Sequence, residues 1–154
     1  MTVSPSPDYL PSRSPRARDQ VARFEATDGA EANTLDGRPV VVLTMTGART
    51  GRVRKTPVMR VVRDGTYVAV ASAGGQPDNP AWYHNLVAHP VIELQDGAER
   101  RTVRAREIHG AEKRRWWSIA DSFWPPYADY RARSPRDIPL FLLEPVGSGS
   151  QGSD

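Results

Sequence analysis

Two Asp-Gly pairs, Asp64-Gly65 and Asp96-Gly97, each stand between runs of β-branched and apolar residues, and they commit this chain to antiparallel strands. Asp-Gly accepts the positive φ angles of a tight hairpin, so each pair turns the chain back on itself. Around the first, Val53–Arg63 leads into Thr66–Ala73. Around the second, Val91–Gln95 leads into Arg101–Ile108, where Val103 and Ala105 alternate with Arg104 and Arg106 and give one apolar and one wet face. Upstream, Val40–Thr46 reads as a buried strand. It meets Val53–Arg63 across the glycine-bracketed turn Gly47–Gly51, and Pro57 restricts that second arm to a bulge or a sheet edge. Ile138–Leu143 supplies a sixth strand.

Helical patterns surround these strands. Val21 and Phe24 define a short amphipathic helix over Asp19–Glu25, ending near Asp28-Gly29, and Gly29–Pro39 reads as a loop. Asn79 is a predicted N-cap with Pro80 at the first helical position, and that helix runs to about Ala88. Gly110–Trp124 carries Trp116, Ile119, Ala120 and Phe123 on one face, and Tyr127–Arg133 adds a further turn. The expected fold is mainly β with peripheral helices (α+β), a small antiparallel barrel. With 154 residues it forms one domain over 19–145, between a disordered leader, 1–18, and a disordered tail, 146–154.

Composition removes several chemistries. The chain has no cysteine, which excludes disulfides, thiolate nucleophiles and zinc–thiolate sites. His84, His89 and His109 lack metal-ligand spacing, so no metal is expected. No apolar run approaches the roughly 20 residues of a membrane span, and the Pro/Ser-rich start is no signal peptide; a cytoplasmic location is expected.

Three constellations remain. Gly47–Lys55 brackets a turn with glycines and adds Arg49, Arg52, Arg54 and Lys55, a nest for phosphate or carboxylate oxygens as well as a plain basic hairpin. Ala71-Ser72-Ala73-Gly74-Gly75, followed by Trp82 and Asn85 on a helix, opens room for a flat ring at a strand end. Trp124, Tyr127 and Tyr130, at three-residue spacing, offer an aromatic wall.

Taken in order, Leu43–Gly51, Arg54–Pro57, Ala71–Gly75, Asn79–Asn85, Trp124–Tyr130 and Asp137–Pro139 resemble the deazaflavin-dependent nitroreductase family over roughly Gly29 to Pro145. The resemblance implies a split β-barrel related to FMN-binding pyridoxamine oxidases, with coenzyme F420 in place of FMN. It implies that Arg49, Thr50, Gly51, Arg54 and Lys55 hold the coenzyme's phosphate and glutamate tail. It places the ring along Thr56, Pro57, Val58, Ala71, Ser72 and Gly75, against Trp82 and Asn85. Ser72, Tyr127 and Tyr130 are the implied catalytic set, with Ser72 near the reactive edge and the tyrosines at the acceptor. Met59 and Trp124 depart from an aromatic residue and a tyrosine found in some relatives.

The implied activity is an F420H2-dependent reductase passing hydride to a small electron-poor acceptor such as a quinone or nitro compound. Other classes stay open at this point: a non-catalytic F420 carrier and an FMN-dependent oxidoreductase of the same barrel superfamily. No nucleic-acid partner is expected, because the aromatics lie outside the basic stretch rather than within it. Peripheral membrane contact has thin support, since Pro11–Phe24 is basic but offers only Val21 and Phe24 to a lipid face. Barrels of this kind are compatible with a homodimer.

Overall fold

Period-two alternation along the strands sorts the apolar side chains onto opposite faces of one sheet, and the sheet curls around one of those faces. A computed structural model describes residues 8–146. The strands are β1 (Thr34–Leu35), β2 (Arg38–Thr46), β3 (Val53–Met59), β4 (Val62–Arg63), β5 (Thr66–Val70), β6 (Val91–Asp96), β7 (Glu99–Glu107) and β8 (Leu140–Pro145). The helices are α1 (Pro15–Ala26), α2 (Ala81–Ala88), α3 (Gly110–Phe123) and α4 (Tyr127–Arg133). The strand order is β1-β2-β6-β7-β8-β5-β4, with β3 also paired to β2, and every pairing is antiparallel.

Closure comes from a crossing between β3 and β4. The Arg60 N–H donates to the Pro39 carbonyl on the β2 side at 2.9 Å, and one residue later the Val61 carbonyl accepts from Val68 N–H on the β5 side at 3.0 Å. The two ends of the sheet are thereby joined through the chain itself, giving the split barrel expected from the sequence.

Val41, Leu43 and Met45 of β2 point inward with Leu94, Val103 and Phe141. Val40 and Val42, the alternate residues, point outward and lie beneath Val21 and Phe24 of α1. On the opposite side, Val68, Val70, Leu140 and Leu142 are covered by Trp116, Ile119 and Ala120 of α3. Fully burying one such side chain is worth about 1.5–3 kcal/mol, so both helices are held by packing rather than by intrinsic propensity.

Several boundaries differ from the sequence reading. Residues 8–18, expected as disordered leader, are tied down: Val53 N–H donates to Asp8 O, Leu10 N–H donates to Val53 O, and Ser14 caps α1 through its hydroxyl. Pro15 at the first helical position starts that helix four residues before the predicted Asp19. The rest of the leader, 1–7, and the tail from 147 lie outside the described residues. The expected loop Gly29–Pro39 contains a third Asp-Gly hairpin, β1–β2, turning on Asp36-Gly37 with φ of 52° and 78°. In the second hairpin the loop residues are Gly97 and Ala98, so Asp96 belongs to the strand. With the two-residue strands β1 and β4 the count is eight rather than six. β5 stops at Val70, and β8 is shifted to Leu140–Pro145. Pro57 pairs with Val42 in unbroken register, and the edge position of β3 is what accommodates its missing donor.

Candidate functional site

A cavity of about 290 Å³ opens beside β3. Leu35 and Asp36 of the β1–β2 turn form one rim, and Pro57, Val58 and Met59 form a strand wall. Val70, Ser72, Ala73 and Gly74 come from the end of β5 and the turn after it; Pro80 and Trp82 come from the start of α2. Trp124, Tyr127 and Tyr130 complete the aromatic side. The lining is chiefly apolar with a few hydroxyls, the composition of a site for a small organic molecule.

Six of the expected residues thus meet: Pro57, Val58, Ser72, Trp82, Tyr127 and Tyr130. Ala71 is fully buried next to Ser72. Gly75 packs on α4 so closely that a Cβ there would lie 3.3 Å from both Cα and O of Tyr130. Met59 and Trp124, the two departures, both line the cavity.

Tyr127 is buried, with edge contacts to Trp117 and Tyr130 at centroid distances of 6.0 and 6.1 Å. Burial, and secondarily the neighbouring Tyr130 and Asp121, push its phenol well above the ordinary value of 10. It therefore keeps its proton through neutral and moderately alkaline pH. Tyr130 accepts a long hydrogen bond from the Trp124 indole at 3.4 Å.

The basic turn lies at the other end of β3. Arg54 is three residues from Pro57, about 10 Å at the rise of a strand. The turn is closed by Gly47 N–H to Arg52 O (2.7 Å) and Gly51 N–H to Gly47 O (3.0 Å), and Thr50 Oγ1 accepts from Arg52 N–H.

Not every cation there faces solvent unengaged. Lys55 Nζ donates to Glu25 of α1 at 2.5 Å and lies over the Tyr9 ring. Arg52 donates to the Tyr9 carbonyl, and Arg60 bonds both oxygens of Asp96. Arg49, Arg54 and Arg63 make no ion pair with the described residues. Arg49 and Arg54 are the cations on this turn whose guanidinium groups make neither a hydrogen bond nor an ion pair with the described residues.

Asn85 does not line the cavity: its Oδ1 accepts from Ala48 N–H at 2.8 Å and fastens α2 to the basic turn. Asn79 does not cap α2, which has Pro80 at the cap position; its Oδ1 accepts instead from Arg136. Sequence reasoning missed Leu35, Asp36, Arg133 and Arg136. Asp36-Gly37 repeats the dipeptide that revealed the first hairpin and was readable in the same way. The arginines carry no local signal, because their partners lie about sixty residues upstream. Among the described residues no group of three or more His, Asp or Glu side chains is arranged to hold a metal ion.

The model of the F420H(2)-dependent quinone reductase family matches residues 16–145. An F420H(2)-dependent quinone reductase of Mycobacterium tuberculosis (strain ATCC 25618 / H37Rv) is 36% identical over 127 residues, covering 79% of this chain and 85% of that protein. A solved F420-H2 dependent reductase shares 44% identity with a TM-score of 0.66, covering 70% of this chain and 95% of its own. Another solved relative, described as a domain-swapped dimer, shares 43% identity with a TM-score of 0.68, covering 82% and 96%.

Proposed function

Since the chain belongs to the F420H(2)-dependent quinone reductase family, we propose that β3 carries coenzyme F420 from the basic turn to the cavity, where a quinone is reduced. The chain is an F420-dependent oxidoreductase. The observation that carries the residue-level reading is the continuity of β3. Arg54 and Pro57-Val58-Met59 belong to one strand, so an anion grip and an apolar slot share one rigid support.

When bound, the reduced coenzyme supplies the hydride. The chain's own residues bind, orient and exclude water. Arg49 and Arg54, with the backbone of Thr50 and Gly51, grip the phosphate and glutamate tail through charge-assisted bonds. Lys55 adds to that grip only by leaving Glu25. Thr56, Pro57, Val58, Ala71, Ser72, Gly75 and Trp82 flank the ring, and Asn85 acts by holding the turn at Ala48.

A quinone that accepts hydride becomes a hydroquinone anion and needs one proton. The hydroxyls of Ser72, Tyr127 and Tyr130 face this need. Tyr127 suits the stabilising part of it: it stays protonated and its hydroxyl has no hydrogen-bond partner among the described residues, so it is free to donate a hydrogen bond to the developing oxyanion while the proton itself comes from solvent. Nitro compounds are electron-poor acceptors of the same class. No helix among the described residues is long and apolar enough to cross a membrane, and a cytoplasmic location is part of the same proposal. The domain-swapped relative supports a homodimer.

The test combines binding and turnover. Purified protein is titrated with F420 and with FMN, then mixed with F420H2 and a panel of quinones. F420 should bind in preference to FMN, and quinone should restore the absorbance of the oxidised coenzyme. Binding without turnover of any acceptor would leave a carrier, and FMN preference would overturn the reading.

A further inference from the structure

We propose that Arg136 is a positioning residue for the reduction, holding the Ser72–Asn79 loop in the shape that presents Ser72 to the cavity. The proposal rests on the reading above for its activity test, but its geometry stands by itself. Arg136 leaves the α4–β8 connection and spends its guanidinium on three acceptors of one loop. Nη2 donates to the Ser72 carbonyl at 2.9 Å, Nε to the Gln76 carbonyl at 3.0 Å and Nη1 to Asn79 Oδ1 at 2.7 Å. It makes no ion pair with any described carboxylate. A planar fork that bonds at both ends of a loop fixes the span between them, which a single flexible cation cannot do.

The loop needs such a clamp. Ala73, Gly74 and Gly75 follow one another with φ of 47°, 64° and 84°. The glycines adopt this region freely, but Ala73 does so at a steric cost and holds it only where surrounding contacts over-determine it. Arg133 adds a bond to the Gly74 carbonyl at 3.0 Å. The core beneath does not depend on the clamp: Ala71 N–H donates to Pro139 O, and Ile138 is buried against the α3 side. Removing Arg136 therefore loosens the cavity wall and leaves the barrel standing.

The experiment compares wild type with Arg136→Ala and Arg136→Lys in F420H2:quinone turnover. Misplacing a reacting wall by an ångström costs up to about 100-fold, so kcat should fall about 10- to 100-fold in Arg136→Ala. The coenzyme Kd should stay within about threefold, because the anion grip is elsewhere. Arg136→Lys should recover little, and added guanidinium at millimolar concentration should restore part of the Arg136→Ala rate. Unchanged kcat, parallel loss of kcat and coenzyme binding, or absence of guanidinium rescue would each overturn the proposal. Should Arg136→Ala fail to fold, the same kcat-against-Kd split is read from Arg136→Lys. If wild type reduces no quinone, the family-based function fails separately. Arg136 is then judged by amide exchange over 72–79, which Arg136→Ala should accelerate and which, if unchanged, sinks the clamp.

Discussion

The basic turn Gly47–Lys55 and the loop Ser72–Asn79 are the two ends of the proposed site and are both served by arginines, yet they use the charge in opposite directions. At the turn, Arg49 and Arg54 project from a backbone already closed by its own hydrogen bonds, and no described carboxylate answers them. At the loop, Arg133 and Arg136 turn inward and satisfy backbone carbonyls. One set is left without a partner among the described residues and is the anion grip of the proposed function; the other is consumed in building the wall. A guanidinium is thus a binding group or a scaffold group according to whether its fork is already full.

The sharpest way to break this contrast is Arg49→Ala with Arg54→Ala. Charge-assisted hydrogen bonds are worth about 1.5–3 kcal/mol each, so the double variant should weaken F420 binding by about 100-fold or more while the thermal midpoint barely moves. Titration beside a melting curve checks both. If affinity holds, the anion grip lies elsewhere.

Gly75→Ala attacks the loop side. Its φ of 84° and the 3.3 Å approach to Tyr130 make any side chain strained, at a cost of about 1–3 kcal/mol. The melting temperature should fall by several degrees and kcat should drop with it. A variant as stable as wild type would show that the loop is less constrained than the clamp implies.

Glu25→Gln tests the one cation that changes sides. Lys55 is bound to Glu25, so removing that carboxylate charge should release it and tighten F420 binding a few-fold, about 0.5–1 kcal/mol. Weaker binding would mean that α1, rather than Lys55, supports the turn.

The smallest effect concerns alkaline pH. Tyr127 has a folded pKa raised above the unfolded value of 10, so the unfolded chain loses that proton first as pH rises. Its contribution is complete below pH 10 and is lost above it. Tyr127→Phe should flatten the fall in stability above that point, measured as denaturation midpoints across the alkaline range, and should slow turnover at neutral pH.

What the sequence revealed follows the same division. The turn was legible because its glycines and arginines are neighbours, and Tyr127 and Tyr130 because helical spacing puts them on one wall. Arg136 was not, since nothing within ten residues of it hints at Ser72. The ion pair of Lys55 was illegible for a related reason: its partner, Glu25, sits on a helix thirty residues upstream. The leader was misjudged because Asp8 and Leu10 pair with Val53, a contact that local composition does not encode.

The order of the strands carries a cost during synthesis. β5, with the apolar run Tyr67–Val70, has as sheet neighbours among the described residues only the two-residue β4 and β8, and its partner Leu140–Leu143 emerges some seventy residues later. Until the ribosome has delivered Leu140–Leu143, that strand exposes an adhesive edge to other nascent copies. Slow elongation or premature termination upstream of Leu140 should therefore yield aggregates rather than a smaller working domain.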